Sequence, residues 1–194
     1  AGARIVGNPL KSQIVEAATQ VDWAEARQIA KSKLGISGQL ILILGGSSGS
    51  RAINQVIAES NFGENFVIHS LGKDNELPKA TDKYRPVNYV EDMATALLAA
   101  DLVISRSGAI TCSEFSALGK YALFIPLPIG NGEQALNADE LVMAHKAEVI
   151  EQSQFTAKWL GANLDRLLKQ GSVQPLGTSL NAADQIADCI GRVI

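Results

Sequence analysis

Five consecutive aliphatic residues, Leu40-Ile41-Leu42-Ile43-Leu44, run straight into a turn made only of glycine and serine, Gly45-Gly46-Ser47-Ser48-Gly49-Ser50. A half-exposed strand would alternate with polar residues. A run without any reads as a strand covered on both faces, as in a parallel sheet flanked by helices. The pattern recurs at residues 101–105, Asp101-Leu102-Val103-Ile104-Ser105, followed by the small turn Arg106-Ser107-Gly108. Further strands are predicted at 66–70, 87–90, 122–126 and 147–150. Helical segments fit 51–60, 91–100, 111–118 and 133–145, with two more near 155–169 and 179–193. Ahead of the first strand, residues 12–34 carry Ile14, Val15, Ala18, Trp23, Ala26, Ile29, Ala30 and Leu34 at helical spacing, and Gly35 is placed to stop the helix. Strand and helix alternate about six times, which predicts an α/β, Rossmann-like, doubly wound parallel sheet with right-handed crossovers. With no internal repeat, low-complexity stretch or linker in view, residues 1–194 are expected to form a single domain.

Bulk properties narrow the function classes. Hydrophobic residues make up 46% of the 194 and charged residues 19%, enough apolar material for one real core. The net charge of −3 speaks against a nucleic-acid binder, which usually presents a basic face. Cys112 and Cys189 stand apart from one another and from His69 and His145, so neither a metal site nor a disulfide framework is indicated and a reducing compartment fits. Both histidines read as surface or part-buried side chains. No apolar run approaches the roughly 18 residues that span a bilayer. The first residues, AGARIVGNPL, contain no signal-peptide core and no initiating Met, so the chain reads as a fragment or a processed form.

Ligands of doubly wound sheets bind at the carboxyl ends of the strands. Four predicted loops fall there, at 45–50, 90–93, 105–111 and 127–134, and are expected to converge on one cleft. The turn RSGAITCSE (106–114) leads from a strand into a helix, where free backbone N–H groups and the helix dipole favour an anion near Ser107-Gly108. Glu114, about one turn further on, is suited to accept hydrogen bonds from two ribose hydroxyls, or is an ordinary first-turn acid. Arg106 would pair with a diphosphate or with a structural partner. In the glycine-rich turn, which is neither GxGxxG nor a Walker motif, Ser47 could donate to phosphate. Val90, at a strand end, offers backbone groups to the edge of a base, although Glu91-Asp92 also reads simply as an acidic helix start. Gln134 and Asn137 share one helix face at i, i+3, and paired amides suit sugar hydroxyls as well as plain solvent.

Taken in order, GNP (7–9), LGGSSGSRAIN (44–54), YVEDM (89–93), ADLVISRSGAITCSE (100–114) and EQALNA (133–138) resemble the donor half of the MurG family. These are bacterial transferases that add N-acetylglucosamine to the lipid-linked muramyl-pentapeptide of peptidoglycan synthesis. The resemblance covers nearly the whole chain. It implies one half of a GT-B glycosyltransferase, namely the domain that binds UDP-N-acetylglucosamine (UDP-GlcNAc). By motif matching, Ser47 and Ser107-Gly108 would hold the diphosphate and Val90 would contact uracil through its backbone. Ile110 and Thr111 would line the diphosphate and sugar region, Glu114 would take the ribose hydroxyls, and Gln134 with Asn137 would hold the sugar. Two positions depart from the family pattern. Lys11 stands where an Arg often follows GNP, offering a point charge instead of a fork. Glu133 stands where Gln is common.

The resemblance further implies that the general base, the lipid-linked acceptor site and the membrane-facing patch lie in an N-terminal domain outside this chain. No catalytic residue is therefore expected here, nor any cofactor or metal. The intact enzyme would act at the cytoplasmic face of the plasma membrane, inverting the anomeric carbon as the acceptor's C4 hydroxyl attacks. Three other readings stay open: a related epimerase of UDP-N-acetylglucosamine, a donor-binding subunit working with a separate acceptor subunit, and a non-catalytic nucleotide or NAD module. The lack of GxGxxG speaks against NAD, and Ser113-Glu114-Phe115 lacks the second carboxylate that the epimerases carry.

Overall fold

The computed structural model describes residues 5–20, 22–129, 132–171, 175 and 180–191. Within them lies a parallel sheet of β1 (Leu40–Leu44), β2 (Phe66–Ser70), β3 (Tyr84–Val87), β4 (Leu102–Ser105), β5 (Ala122–Phe124) and β6 (Ala147–Val149), in the order β3-β2-β1-β4-β5-β6. The chain reverses its direction of winding between β1 and β4, so their carboxyl ends open a crevice where no crossover connection runs.

The aliphatic run of β1 is buried throughout because it serves two cores at once. Leu40, Leu42 and Leu44 project into one core, with Val103 and Phe124 from the neighbouring strands. Helices α1 (Ser12–Ala18), α2 (Trp23–Leu34), α4 (Met93–Ala99), α5 (Ala109–Ala117) and α6 (Glu133–Met143) supply its cover. Ile41 and Ile43 project to the other side, with Leu102, Ile104 and Leu123, beneath α3 (Arg51–Ala58) and α7 (Ala157–Leu168). Each such aliphatic side chain contributes about 1.5–3 kcal/mol by leaving water. A last helix, α8 (Ala182–Gly191), follows; residues 180 and 181 of the helix predicted over 179–193 form a turn before it, and 179, 192 and 193 lie outside those described. At the opposite end of the sheet from the crevice, Asp101 receives Arg27 at 2.8 Å, Lys31 at 2.7 Å and the Leu40 N–H at 2.8 Å, which ties α2 to the starts of β1 and β4.

Local chemistry moved several predicted boundaries. The stretch 12–34 is two helices. The Thr19 hydroxyl donates to the Glu16 carbonyl at the end of α1, and Asp22 accepts the N–H groups of Ala24 and Glu25 to start α2. The third strand lies at 84–87, not 87–90, and contains Pro86, which the periodicity reading passed over. Pro86 is tolerated because β3 is an edge strand. Helix α4 begins at Met93, where the Asp92 carboxylate accepts the Thr95 N–H at 3.0 Å. Helix α5 begins at Ala109, two residues earlier than predicted, so Ile110 and Thr111 belong to its first turn.

Candidate nucleotide-binding site

The crevice between β1 and β4 holds a cleft of about 500 Å³, walled by Gly45, Gly46, Gly49, Ser50, Arg51, Ala52, Arg106, Gly108, Thr111, Leu127, Gln134 and Gln152. Three of the four predicted loops converge on it. The fourth, 90–93, does not contribute to its wall, and residues 130 and 131 of the 127–134 loop lie outside those described.

The floor is set by glycine. Gly49 adopts φ +78°, and a β-carbon there would stand 1.8 Å from the Leu71 carbonyl oxygen. A β-carbon on Gly72 (φ +102°) would stand 2.4 Å from the Gly49 nitrogen. The glycine-rich turn is thus pressed against residues 71–72 at a distance that only hydrogen atoms permit. Ser47 sits exposed on this turn. Ser50 caps α3 by accepting the Ile53 N–H.

The other wall is the start of α5. Gly108 occupies its N-cap and has no side chain with which to cap it. The first intrahelical bond runs from the Cys112 N–H to the Gly108 carbonyl at 2.9 Å, which leaves the N–H groups of Ala109, Ile110 and Thr111 ahead of it. Ile110 is exposed and Thr111 faces the cleft. Ser107 behaves differently from its neighbours. Its side chain is 0% exposed and its hydroxyl is the buried side-chain polar atom without a partner among the described residues. Ser107 therefore lies behind the wall of the cleft, with Gly108 and Thr111 in front of it.

Arg106 lines the cleft, but its guanidinium serves the protein's own oxygens. It donates to the carbonyls of Ile125 (2.8 Å) and Pro126 (3.0 Å), to Ser50 Oγ (2.8 Å) and to Gln152 Oε1 (2.6 Å). All four acceptors are neutral, and burial holds the guanidinium below its usual pKa. Arg106 thereby ties the end of β5, the cap of α3 and the segment after β6 into one rim. Gln152 is a wall residue that the sequence reading missed. Its position just past β6, at a carboxyl end of the sheet, was the available signal.

The amides on α6 are split between two cavities. Gln134 lines the cleft and its Oε1 accepts the Leu127 N–H at 3.0 Å. Asn137 donates to the Ser107 carbonyl at 3.1 Å and lines an adjoining cavity of about 450 Å³ with Asn8 and Ser113. Asn8 bonds the Ser113 hydroxyl at 2.8 Å, fastening the GNP segment to α5. Glu114 is 9% exposed and lies outside the wall of the cleft. Its carboxylate accepts no hydrogen bond among the described residues. Burial pushes its pKa up, and the positive charge of Lys11 draws it back. Lys11 is itself exposed, at the start of α1. Val90 buries its side chain in the core, leaving its main chain at the mouth of α4.

His69, expected at or near the surface, is a core residue at 1% exposure. It is held between the Tyr84 hydroxyl (2.8 Å) and Asn54 Oδ1 (3.1 Å). Cys112 is also buried, which pushes its thiol up to about 12. Among the described residues no group of three or more His, Cys, Asp or Glu is placed to hold a metal ion, and no helix is long and apolar enough to cross a membrane.

Comparison with known proteins bears on the fold and the family. Among curated proteins, the UDP-N-acetylglucosamine--N-acetylmuramyl-(pentapeptide) pyrophosphoryl-undecaprenol N-acetylglucosamine transferase of Corynebacterium glutamicum is 38% identical over 98% of this chain and 56% of its own length. The chain therefore spans about half the length of the curated relatives it matches. Among solved structures, Acinetobacter baumannii MurG superposes with a TM-score of 0.66 at 26% identity, over 91% of this chain and 55% of that one. The glycotransferase of kitacinnamycin superposes at 0.60 and 19% identity, over 97% and 48%, which speaks to the fold alone. Residues 40–190 match the model of the glycosyltransferase family 28 C-terminal domain, and the chain belongs to that family.

Proposed function

We propose that the chain is the donor-binding domain of an inverting N-acetylglucosaminyltransferase, and that it takes UDP-GlcNAc into the crevice between β1 and β4. The observation that carries this reading is the convergence of the uncapped start of α5 with the glycine-rich turn on one cleft. The diphosphate would lie across the N–H groups of Ala109, Ile110 and Thr111, where unpaired donors and the helix dipole favour negative charge. Ser47 would add a hydroxyl from the opposite turn. As the sugar leaves, charge grows on the diphosphate, and donors already fixed in place stabilise it without reorganising. Glu114, a part-buried carboxylate with unspent acceptor capacity, fits a pair of ribose hydroxyls. The main chain at Val90 fits a uracil edge, and Gln134 with Asn137 fits the sugar. Lys11, whose charge acts on Glu114, would offer that charge to a phosphate of the same ligand.

Arg106 is assigned to the rim and not to the ligand, because four of its five N–H groups are already engaged by the protein. The acceptor would be the lipid-linked muramyl-pentapeptide, and the group that deprotonates it would belong to the part of the relatives that this chain does not match. Contact with the membrane, at its cytoplasmic face, would come through that same part.

Titration of the chain with UDP-GlcNAc by calorimetry, without added metal and with NAD as comparator, tests the reading. Saturable binding of the UDP-sugar and none of NAD is expected. Silence with both UDP-GlcNAc and UDP, or a strict need for a divalent metal, would overturn it.

A further inference from the structure

The segment leading to Val90 stands apart from the wall of the cleft, and one short loop joins it to the glycine-rich turn. Residues 71–75, which follow β2, touch both. On one side the loop holds the turn. The Leu71 carbonyl blocks a β-carbon at Gly49, Gly72 is packed against Ser48 and Gly49, and Asn75 Nδ2 bonds the Leu71 carbonyl at 2.9 Å beside the Ser48 carbonyl. On the other side it holds the chain just before Tyr89–Val90. Asn88 Nδ2 donates to the carbonyls of Asn75 (2.8 Å) and Gly72 (3.2 Å), and the Gly72 N–H returns a bond to the Asn88 carbonyl at 3.1 Å. Asn88 is half-buried and stands two residues before Val90. Its amide spends both donors on this one loop, and none of these bonds contributes to β-ladder pairing.

We propose that Asn88 and Asn75 are positioning residues: through loop 71–75 they fix the distance between the Val90 main chain and the glycine-rich turn, and so set selectivity for a ligand that carries a pyrimidine base and a diphosphate at a matching separation. This rests on the nucleotide reading above. A ligand that spans two fixed subsites gains over its separate halves because the second contact is made without a new loss of freedom. That gain depends on the spacing being held. Loosening the loop leaves each subsite intact and removes the gain.

The test compares UDP, uridine and pyrophosphate on the native chain, Asn88→Ala and Asn75→Ala, with chemical-shift titration for the weak ligands. The native chain is expected to bind UDP more tightly than either half. Asn88→Ala is expected to weaken UDP about tenfold, with uridine and pyrophosphate each unchanged within about twofold. Asn75→Ala, which leaves its own carbonyl in place for Asn88, is expected to show the same pattern at about threefold, and it carries the test if Asn88→Ala does not fold. A residue with only a structural role would move all three ligands together or none. Equal losses, or no loss of UDP, on a native background that binds UDP would overturn this proposal and leave the nucleotide reading standing. Failure of the native chain to bind UDP would overturn both.

Discussion

Acidification should cost this protein stability through a single core histidine. His69 lies at 1% exposure, and burial lowers its pKa from 6.5 to about 4. Asn54 turns its amide nitrogen to the Leu71 carbonyl at 3.0 Å, so its oxygen faces the ring. The neutral ring thus donates from Nε2 to Asn54 and accepts at Nδ1 from the Tyr84 hydroxyl. Because the folded-state pKa is the lower one, the unfolded chain binds the extra proton, and stability falls as pH drops from 6.5 towards 4. Linkage across 2.5 pH units puts the loss at about 2 kcal/mol by pH 5 and about 3 kcal/mol by pH 4. Urea denaturation of the native chain and His69→Gln at pH 7, 6, 5 and 4 reads this out. The variant starts lower, having lost its fit between Tyr84 and Asn54, but the gap should close by about 2 kcal/mol between pH 7 and 5. Comparison with the variant removes the opposite contribution of Glu114, whose raised pKa favours the folded state as pH falls. Parallel curves for the two proteins would refute the reasoning.

Two glycines of one turn should answer differently to the same change. Gly49→Ala meets the Leu71 carbonyl head-on and should cost about 3 kcal/mol or more, whereas Gly46→Ala (φ +89°, open space around it) should cost only about 1 kcal/mol of backbone strain, both read from thermal unfolding. Arg106→Lys cannot reproduce a fork with four acceptors and should lower stability by about 2 kcal/mol. Unchanged stability with impaired UDP binding would instead place Arg106 on the ligand. Glu114→Gln should keep the fold and weaken UDP by about 1–3 kcal/mol in a calorimetric titration. Full affinity in that variant would remove Glu114 from the site.

Legibility in the sequence followed how local the controlling physics was. β1 and β4 were readable because burial on both faces leaves no room for a polar residue, and the turns after them because glycine and serine mark close approach. β3 was displaced because Pro86 argues against a strand unless the strand is known to be an edge, which only the assembled sheet reveals. The break between α1 and α2 turns on Asp22, whose polar signal is weak beside the apolar spacing that continues through it. At the site, Gly108 and Gln134 line the cleft because they sit directly on the predicted turns and loops, whereas Thr111 was indicated only by the resemblance in motif. Arg106 was ambiguous until its acceptors were visible, since Ser50, Ile125, Pro126 and Gln152 are contributed from three separate parts of the chain. The depth of Ser107 and His69 is likewise a tertiary fact, as a Ser-Gly turn or an isolated histidine carries no burial signal of its own.

The edge made by β3 has a consequence for assembly. The carbonyls of Lys83 and Val87 accept from Val67 and Leu71, so the alternate residues Tyr84 and Pro86 turn their main chain outward. There, Thr81 has already claimed both groups of Tyr84: its N–H donates to the Tyr84 carbonyl at 2.9 Å, and its hydroxyl accepts the Tyr84 N–H at 3.0 Å. Pro86 has no N–H to give. A strand arriving from another molecule would find almost nothing on this rim to pair with, so the sheet is closed to growth on that side without a covering helix. Copies of this protein crowded together during synthesis or heating are thus denied edge-to-edge pairing through β3.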